Sequence, residues 1–216
     1  MQAYLLRVFL SYTILIPAVT SMIRYKVVLK DYGPFLWMIW LGLFNETVSM
    51  IFIFSIRSNA INSNIYVLLE YGLILLQFYK WNESKAPKYI FWALLGVAIW
   101  IADNLIINQI FQNNSIFRVF YSFVTVFFSI DLLNRILVFN TSPLLKNAMF
   151  LIVVTFLIYY GFKAYVESFN MIHLGLSKEL LKTLWKILYF VNVFASLLYT
   201  AAILCIPTRK KFILHY

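Results

Sequence analysis

Acidic and basic side chains lie within the apolar stretches of this 216-residue sequence, where ionised groups are rare. The acids are Glu46, Glu70 and Asp103, and the bases are Arg118, Lys163 and Lys186. An ionised side chain in hydrocarbon costs about 3 kcal/mol or more unless it pairs with an opposite charge or lines a wet cavity. Groups of this kind can bind a charged solute or an ion, or carry a proton.

Glu70 is the most informative of these residues, because its own stretch carries polar side chains at helical spacing. Residues 64–80 read NIYVLLEYGLILLQFYK, in which Tyr66, Glu70 and Gln77 fall at i, i+4 and i+11. On an α-helix these three side chains share one face. We therefore expect a partner for Glu70, or water, on the face that also carries Tyr66.

The composition of the chain indicates that apolar helices position these side chains. Hydrophobic residues make up 63% of the chain and charged residues only 12%, whereas a soluble domain has about 25% charged residues. The apolar runs are continuous and about 20 residues long, as membrane helices require. Strands of a membrane barrel would be about 10 residues long, with apolar and polar residues alternating. The sequence predicts an all-α integral membrane protein.

Seven transmembrane helices are predicted, forming a single domain over residues 1–216. The predicted spans are about 3–23, 35–56, 64–81, 89–108, 116–138, 145–166 and 181–206. Eleven of the 18 Lys and Arg residues fall in the loops after spans one, three and five and in the tail. Because basic loops stay in the cytoplasm, we expect the N-terminus outside and the C-terminus in the cytoplasm. The formal charge of +10 is then explained by contacts with lipid phosphates, and no nucleic-acid partner is expected.

This topology places the acids of spans two to four at about the depth of the bases of spans five to seven. Two polar stripes support a cavity between them: Arg118, Ser122, Thr125 and Ser129 in span five, and Tyr189, Asn192, Ser196 and Tyr199 in span seven. Each stripe falls on one helix face. The alternative for the stripes is structural, since such residues also form hydrogen bonds between membrane helices.

Several classes of site are disfavoured by what the sequence lacks. It contains no glycine-rich phosphate loop, and its two histidines, His173 and His215, lie in a predicted outer loop and in the tail. They cannot complete an intramembrane zinc site of histidines and carboxylates. The single cysteine, Cys205, excludes an internal disulfide. No metal and no cofactor is predicted.

The runs IPAVTSMIRYKVVLKD and IYVLLEYGLILLQFYK resemble a set of uncharacterised bacterial seven-span proteins. Those proteins have a basic R-Y-K type loop after the first helix and a Tyr-x-x-x-Glu pattern in the third, which Tyr66 and Glu70 match. The resemblance covers roughly the first 80 residues. It implies a multi-pass protein of the bacterial cytoplasmic membrane and implies no activity.

The leading hypothesis is a non-enzymatic bundle with a polar pocket that opens outward. It would act as a small-ligand sensor, a receptor-like module or a small-solute transporter. The candidate ligand-binding or proton-linked residues are Glu46, Glu70, Asp103, Arg118, Lys163, Lys186, Tyr66 and Asn192. Membrane lipids and either a small-molecule ligand or a protein partner are expected. The alternatives are a structural or regulatory subunit of a complex, and a lipid-modifying enzyme that uses Glu46 and Glu70 as acid and base.

Overall fold

The computed structural model describes residues 10–82, 86–112, 114–139, 143–172 and 177–208. These ranges are helical and contain no strand, apart from an isolated bridge between Val28 and Thr208. Residues 3–9 of the predicted first span lie outside the described residues, as do both histidines. The predicted all-helical class is confirmed for the described part of the chain.

The described helices follow the predicted spans in order. They are α1 (Leu15–Arg24), α2 (Gly33–Ile56), α3 (Ala60–Trp81), α4 (Ala86–Ile101), α5 (Ile116–Phe139), α6 (Ala148–Ile172) and α7 (Lys178–Cys205). A 3-10 turn, Tyr12–Ile14, leads into α1, and α4 continues as a π-helix, Ala102–Ile107.

Six helices in the described ranges, α2 to α7, are long and apolar enough to cross a membrane. Their outward surface carries large apolar side chains such as Phe54, Leu94 and Phe127, which are 71%, 67% and 72% exposed. An apolar surface this extensive belongs in lipid rather than in water. The apolar helix that includes α1 spans only Tyr12–Arg24 in the described ranges. The seventh span therefore stays a prediction.

Helix boundaries agree with the sequence where glycine and proline mark them. The second helix begins at Gly33-Pro34, with the proline in the first turn. It ends at Ile56, and the next residue, Arg57, has a φ of 60° in the left-handed region. The sixth helix is different, because span six was predicted to end at residue 166 and α6 runs to Ile172. Glu167, predicted to start a connection, therefore lies on the helix and is buried.

Packing between the helices forms a closed ring around the polar interior. Each helix packs on its neighbours along the chain, and α1 also packs on α7, which closes the ring. Because α3 also contacts α5 directly, α4 lies outside this ring. The polar interior is thus enclosed by α1, α2, α3, α5, α6 and α7.

Arg24 holds the junction between the first and last helices. Its guanidinium donates to the carbonyl oxygens of Ile203 (2.9 Å), Leu204 and Ile206 (3.2 Å) at the C-terminal end of α7. The last carbonyls of an α-helix lack the usual donor four residues later, although that of Ile203 also accepts from the N–H of Ile206 (3.3 Å). A cation is favoured at this end of a helix dipole. Arg24 therefore both satisfies the end of α7 and ties α1 to it.

We expect Arg24→Gln to lower the free energy of unfolding by about 2 kcal/mol, the usual contribution of hydrogen bonds to a charged group. The matched control is Lys26→Gln, which removes an exposed charge two residues away. Reversible unfolding in a mixture of detergent and SDS measures both. Equal losses for the two variants would show that charge in this loop, and not the carbonyl contacts of Arg24, sets the stability.

Candidate functional site

A polar cavity of about 240 Å³ lies at the end of the bundle where α2 and α6 end and α1, α3, α5 and α7 begin. Its charged lining residues are Glu46, Arg118, Lys163 and Glu167. A recess of about 50 Å³, lined by Glu70, adjoins it. The cavity and the recess share the lining residues Ile14, Tyr66, Tyr159 and Asn192.

Glu70 is buried on α3 and is held by two tyrosines. Its Oε1 accepts a hydrogen bond from the Tyr66 hydroxyl (2.7 Å), one turn earlier on the same helix. Its Oε2 accepts one from the Tyr121 hydroxyl (2.8 Å) on α5 and lies 3.6 Å from Nζ of Lys163 on α6. Glu70 therefore has the partners that an ionised group at this depth requires.

The ammonium group of Lys163 sits among aromatic rings. Its Nζ donates to the hydroxyl of Tyr121 and lies 5.0, 5.5 and 5.7 Å from the ring centres of Tyr121, Tyr159 and Tyr160. Ring faces attract cations at these distances. Tyrosines and a carboxylate thus replace the water that a lysine would otherwise need.

Arg118 lines the cavity and is held in place by neutral acceptors. Its Nε donates to the carbonyl of Asn114 (2.9 Å), and its Nη2 donates to Ser63 Oγ and Asn64 Oδ1 (3.0 Å each). Its Nη1 is 4.0 Å from Oε1 of Glu167 and makes no hydrogen bond to any described residue. One edge of the guanidinium is therefore available to a solute in the cavity.

Asn64 and Asp103 hold the framework around Arg118. The side-chain amide of Asn64 donates to the carbonyls of Ile110 (3.0 Å) and Gln112 (2.7 Å) in the segment before α5. Asp103 accepts from the backbone N–H of Phe117 (2.8 Å) and from the Asn108 amide (2.8 Å), so it caps the N-terminus of α5. These contacts set the position from which Arg118 reaches the cavity.

Six of the predicted site residues meet at the cavity and its recess, and two do not. Those that meet are Glu46, Glu70, Arg118, Lys163, Tyr66 and Asn192. Asp103 is fully buried at the start of α5 and is not part of the lining. Lys186 is exposed on the outer surface of α7. Depth alone did not distinguish these two residues from the others, because depth does not specify the direction in which a side chain points.

Glu167, Tyr121 and Tyr159 are central residues that the sequence prediction missed. Tyr159, Lys163 and Glu167 fall at i, i+4 and i+8 on α6, so the helical period that identified Tyr66 and Glu70 could have found them. Glu167 was assigned to a connection because polar residues surround it. It is 3% exposed and accepts a hydrogen bond from Ser115 (2.7 Å).

Within the stripe on α5, Arg118 forms interhelical hydrogen bonds, to Ser63 and Asn64 on α3, but the three smaller side chains do not form those that the structural alternative expected. Ser122 and Thr125 are buried but donate to the carbonyls of Arg118 (2.7 Å) and Tyr121 (2.8 Å) on their own helix. Ser129 Oγ has no partner among the described residues. These small side chains are buried on α5, the helix that packs most extensively with α6.

Comparison with protein-family profiles, curated proteins and solved structures finds no match for this chain. Within the described ranges, no group of three or more His, Cys, Asp or Glu side chains is placed to hold a metal ion. The function must therefore be argued from the geometry of the cavity.

Proposed function

We propose that this chain is a multi-pass membrane protein that binds a small polar solute in the cavity, as a sensor, receptor-like module or transporter. The proposal includes α1 as part of a seventh span, with the N-terminus outside and the cavity facing outward. It also includes a location in the cytoplasmic membrane of a bacterium, which the resemblance of the first 80 residues implies.

The observation that carries the proposal is the pairing of buried charges at an open cavity. Lys163 lies 3.6 Å from Glu70, and Arg118 lies 4.0 Å from Glu167, with all four side chains at most 10% exposed. Buried ion pairs add little stability over apolar residues of similar volume. Charges that line a polar cavity within a membrane are therefore best explained by the solute or ion that they bind.

The surroundings of Glu70 favour binding over acid–base catalysis. Each of its two oxygens accepts a hydrogen bond from a tyrosine hydroxyl, and Lys163 lies beside one of these oxygens. This arrangement fixes the carboxylate in one position, whereas a general acid in a lipid-modifying enzyme must exchange its proton with a substrate. The recess beside Glu70 holds about 50 Å³, which suits a small group and not a lipid headgroup.

Accessibility of the cavity to water tests this proposal. With Cys205 replaced by alanine, Asn192→Cys places a thiol in the cavity, and Phe194→Cys places one on the exposed outer face of the same helix. We expect a charged, membrane-impermeant thiosulfonate to modify Asn192→Cys in intact cells much faster than Phe194→Cys, because lipid suppresses thiolate formation. Equal protection of both thiols would contradict an outward-opening solute site.

A further inference from the structure

We infer that the solute is a small zwitterion carrying an ammonium and a carboxylate group, such as an amino acid or a betaine. This inference rests on the proposed function and names the class of ligand for the same site. It follows from the size of the cavity and from the charged and polar groups that line its walls.

The size of the cavity limits the ligand. Its volume of about 240 Å³ is below the range of about 300–1,000 Å³ that is typical of sites for drug-sized molecules. This volume is too small to enclose a whole lipid or nucleotide. A solute about the size of an amino acid fits a cavity of this volume.

The carboxylate end has a defined partner in Arg118. Three contacts to Asn114, Ser63 and Asn64 hold the guanidinium. Its Nη1 lies 4.0 Å from Oε1 of Glu167 and makes no hydrogen bond to the described residues, so it can still donate to a carboxylate. A planar guanidinium edge is the group that proteins use most often to bind carboxylates. The amide of Asn192, which also lines the cavity, likewise makes no hydrogen bond within the described ranges and can contribute a second donor.

The surroundings proposed for the ammonium group of the ligand resemble those of the Lys163 ammonium group in the same protein. Lys163 Nζ is already stabilised by the Glu70 carboxylate and by tyrosine rings that include Tyr159. Tyr66 and Tyr159 line both the cavity and the recess, and Glu46 adds a carboxylate to the same wall. Aromatic rings combined with carboxylates are the environment that binds primary and quaternary ammonium groups.

Ligands of a single charge fit this cavity poorly. An anion that reaches Arg118 also approaches Glu46 and Glu167, and a cation that reaches the carboxylates also approaches Arg118 and Lys163. Like charges brought together in a partly dehydrated site repel each other. Only a molecule with both charges can place each against its opposite.

Matched probes test the inference by thermal unfolding of the purified full-length chain in mild detergent. L-leucine and glycine betaine are compared at equal concentration with single-charge fragments: 4-methylpentanoate and isoamylamine for leucine, and acetate and tetramethylammonium for betaine. We expect at least one zwitterion to raise the unfolding temperature by a few degrees and its fragments to have no effect. A response to leucine alone identifies an amino-acid site, and a response to betaine alone identifies a methylated-amine site.

Variants connect the effect to the cavity. Glu46→Gln is expected to weaken zwitterion binding about tenfold, because it removes one charged hydrogen-bond acceptor. Lys186 is exposed, and the Lys186→Gln variant should bind zwitterions as tightly as the unaltered protein does. Fragments that stabilise as well as the zwitterions would overturn the inference, as would an absence of any response while Asn192→Cys is still accessible. Protection of Asn192→Cys would instead overturn the proposed function itself.

Discussion

Replacing Lys163 with methionine is expected to lower the free energy of unfolding by about 3–5 kcal/mol, the cost of leaving a buried charge without its partner. Glu70 is 4% exposed, and Lys163 is the only cation within 4.0 Å of it among the described residues. Glu70→Gln should cost somewhat less, because the orphaned ammonium keeps three tyrosine rings and the Tyr121 hydroxyl.

The double variant tests whether Glu70 and Lys163 stabilise the protein by interacting with each other or contribute to its stability independently. With Glu70→Gln and Lys163→Met combined, no charge is stranded, so most of the lost stability should return. Reversible unfolding of the four proteins in a mixture of detergent and SDS measures the coupling. Losses that simply add would show that Glu70 and Lys163 do not interact in the folded protein.

Gly96→Ala is expected to destabilise the protein by about 2–3 kcal/mol through overpacking. A Cβ at this position on α4 would lie 2.9 Å from Cζ of Tyr71 and closer still to its ring edge. Tyr71 is 2% exposed, and its hydroxyl donates to the carbonyl of Trp92 (2.7 Å). The ring cannot swing away, because it is packed edge-on against Phe117 and Tyr121.

The same substitution reaches the site through that packing. A methyl group at residue 96 should push Tyr71 against Tyr121, whose hydroxyl donates a hydrogen bond to Glu70. We therefore expect zwitterion binding to weaken together with stability. Gly72→Ala is the matched control, since an added Cβ there meets no heavy atom within 4 Å. It should be neutral or stabilising by up to about 1 kcal/mol, because alanine is the better helix former. Equal destabilisation by both variants would contradict the steric explanation.

Much of the fold could be predicted because hydropathy reports directly on which segments lie in lipid. The fifth span was predicted as 116–138 and is Ile116–Phe139. The prediction failed at the end of α6, where buried polar residues such as Glu167 resemble a loop by composition. Hydropathy cannot distinguish a polar residue that faces water from one that faces a polar interior.

The candidate site could be predicted only in part, for a related reason. Helical spacing showed that Tyr66 and Glu70 share a face, and the hydrogen bond between them follows from that spacing. Spacing within one helix does not specify how neighbouring helices are rotated. Asp103 therefore appeared to belong with the acids of the pocket, although its carboxylate caps α5. Tyr121 was passed over although it joins Glu70 to Lys163.

Hydroxyl-radical footprinting of the unaltered protein in lipid nanodiscs tests the central claim, a wet cavity beside Glu70, most directly. Radicals formed from bound water oxidise tyrosines that contact that water. We predict rapid oxidation of the cavity residues Tyr66 and Tyr159, and slow oxidation of the fully buried Tyr121 and of Tyr165 on the outer surface. Oxidation of Tyr66 and Tyr159 no faster than that of Tyr121 would show that the cavity is dry and would contradict the proposed solute site.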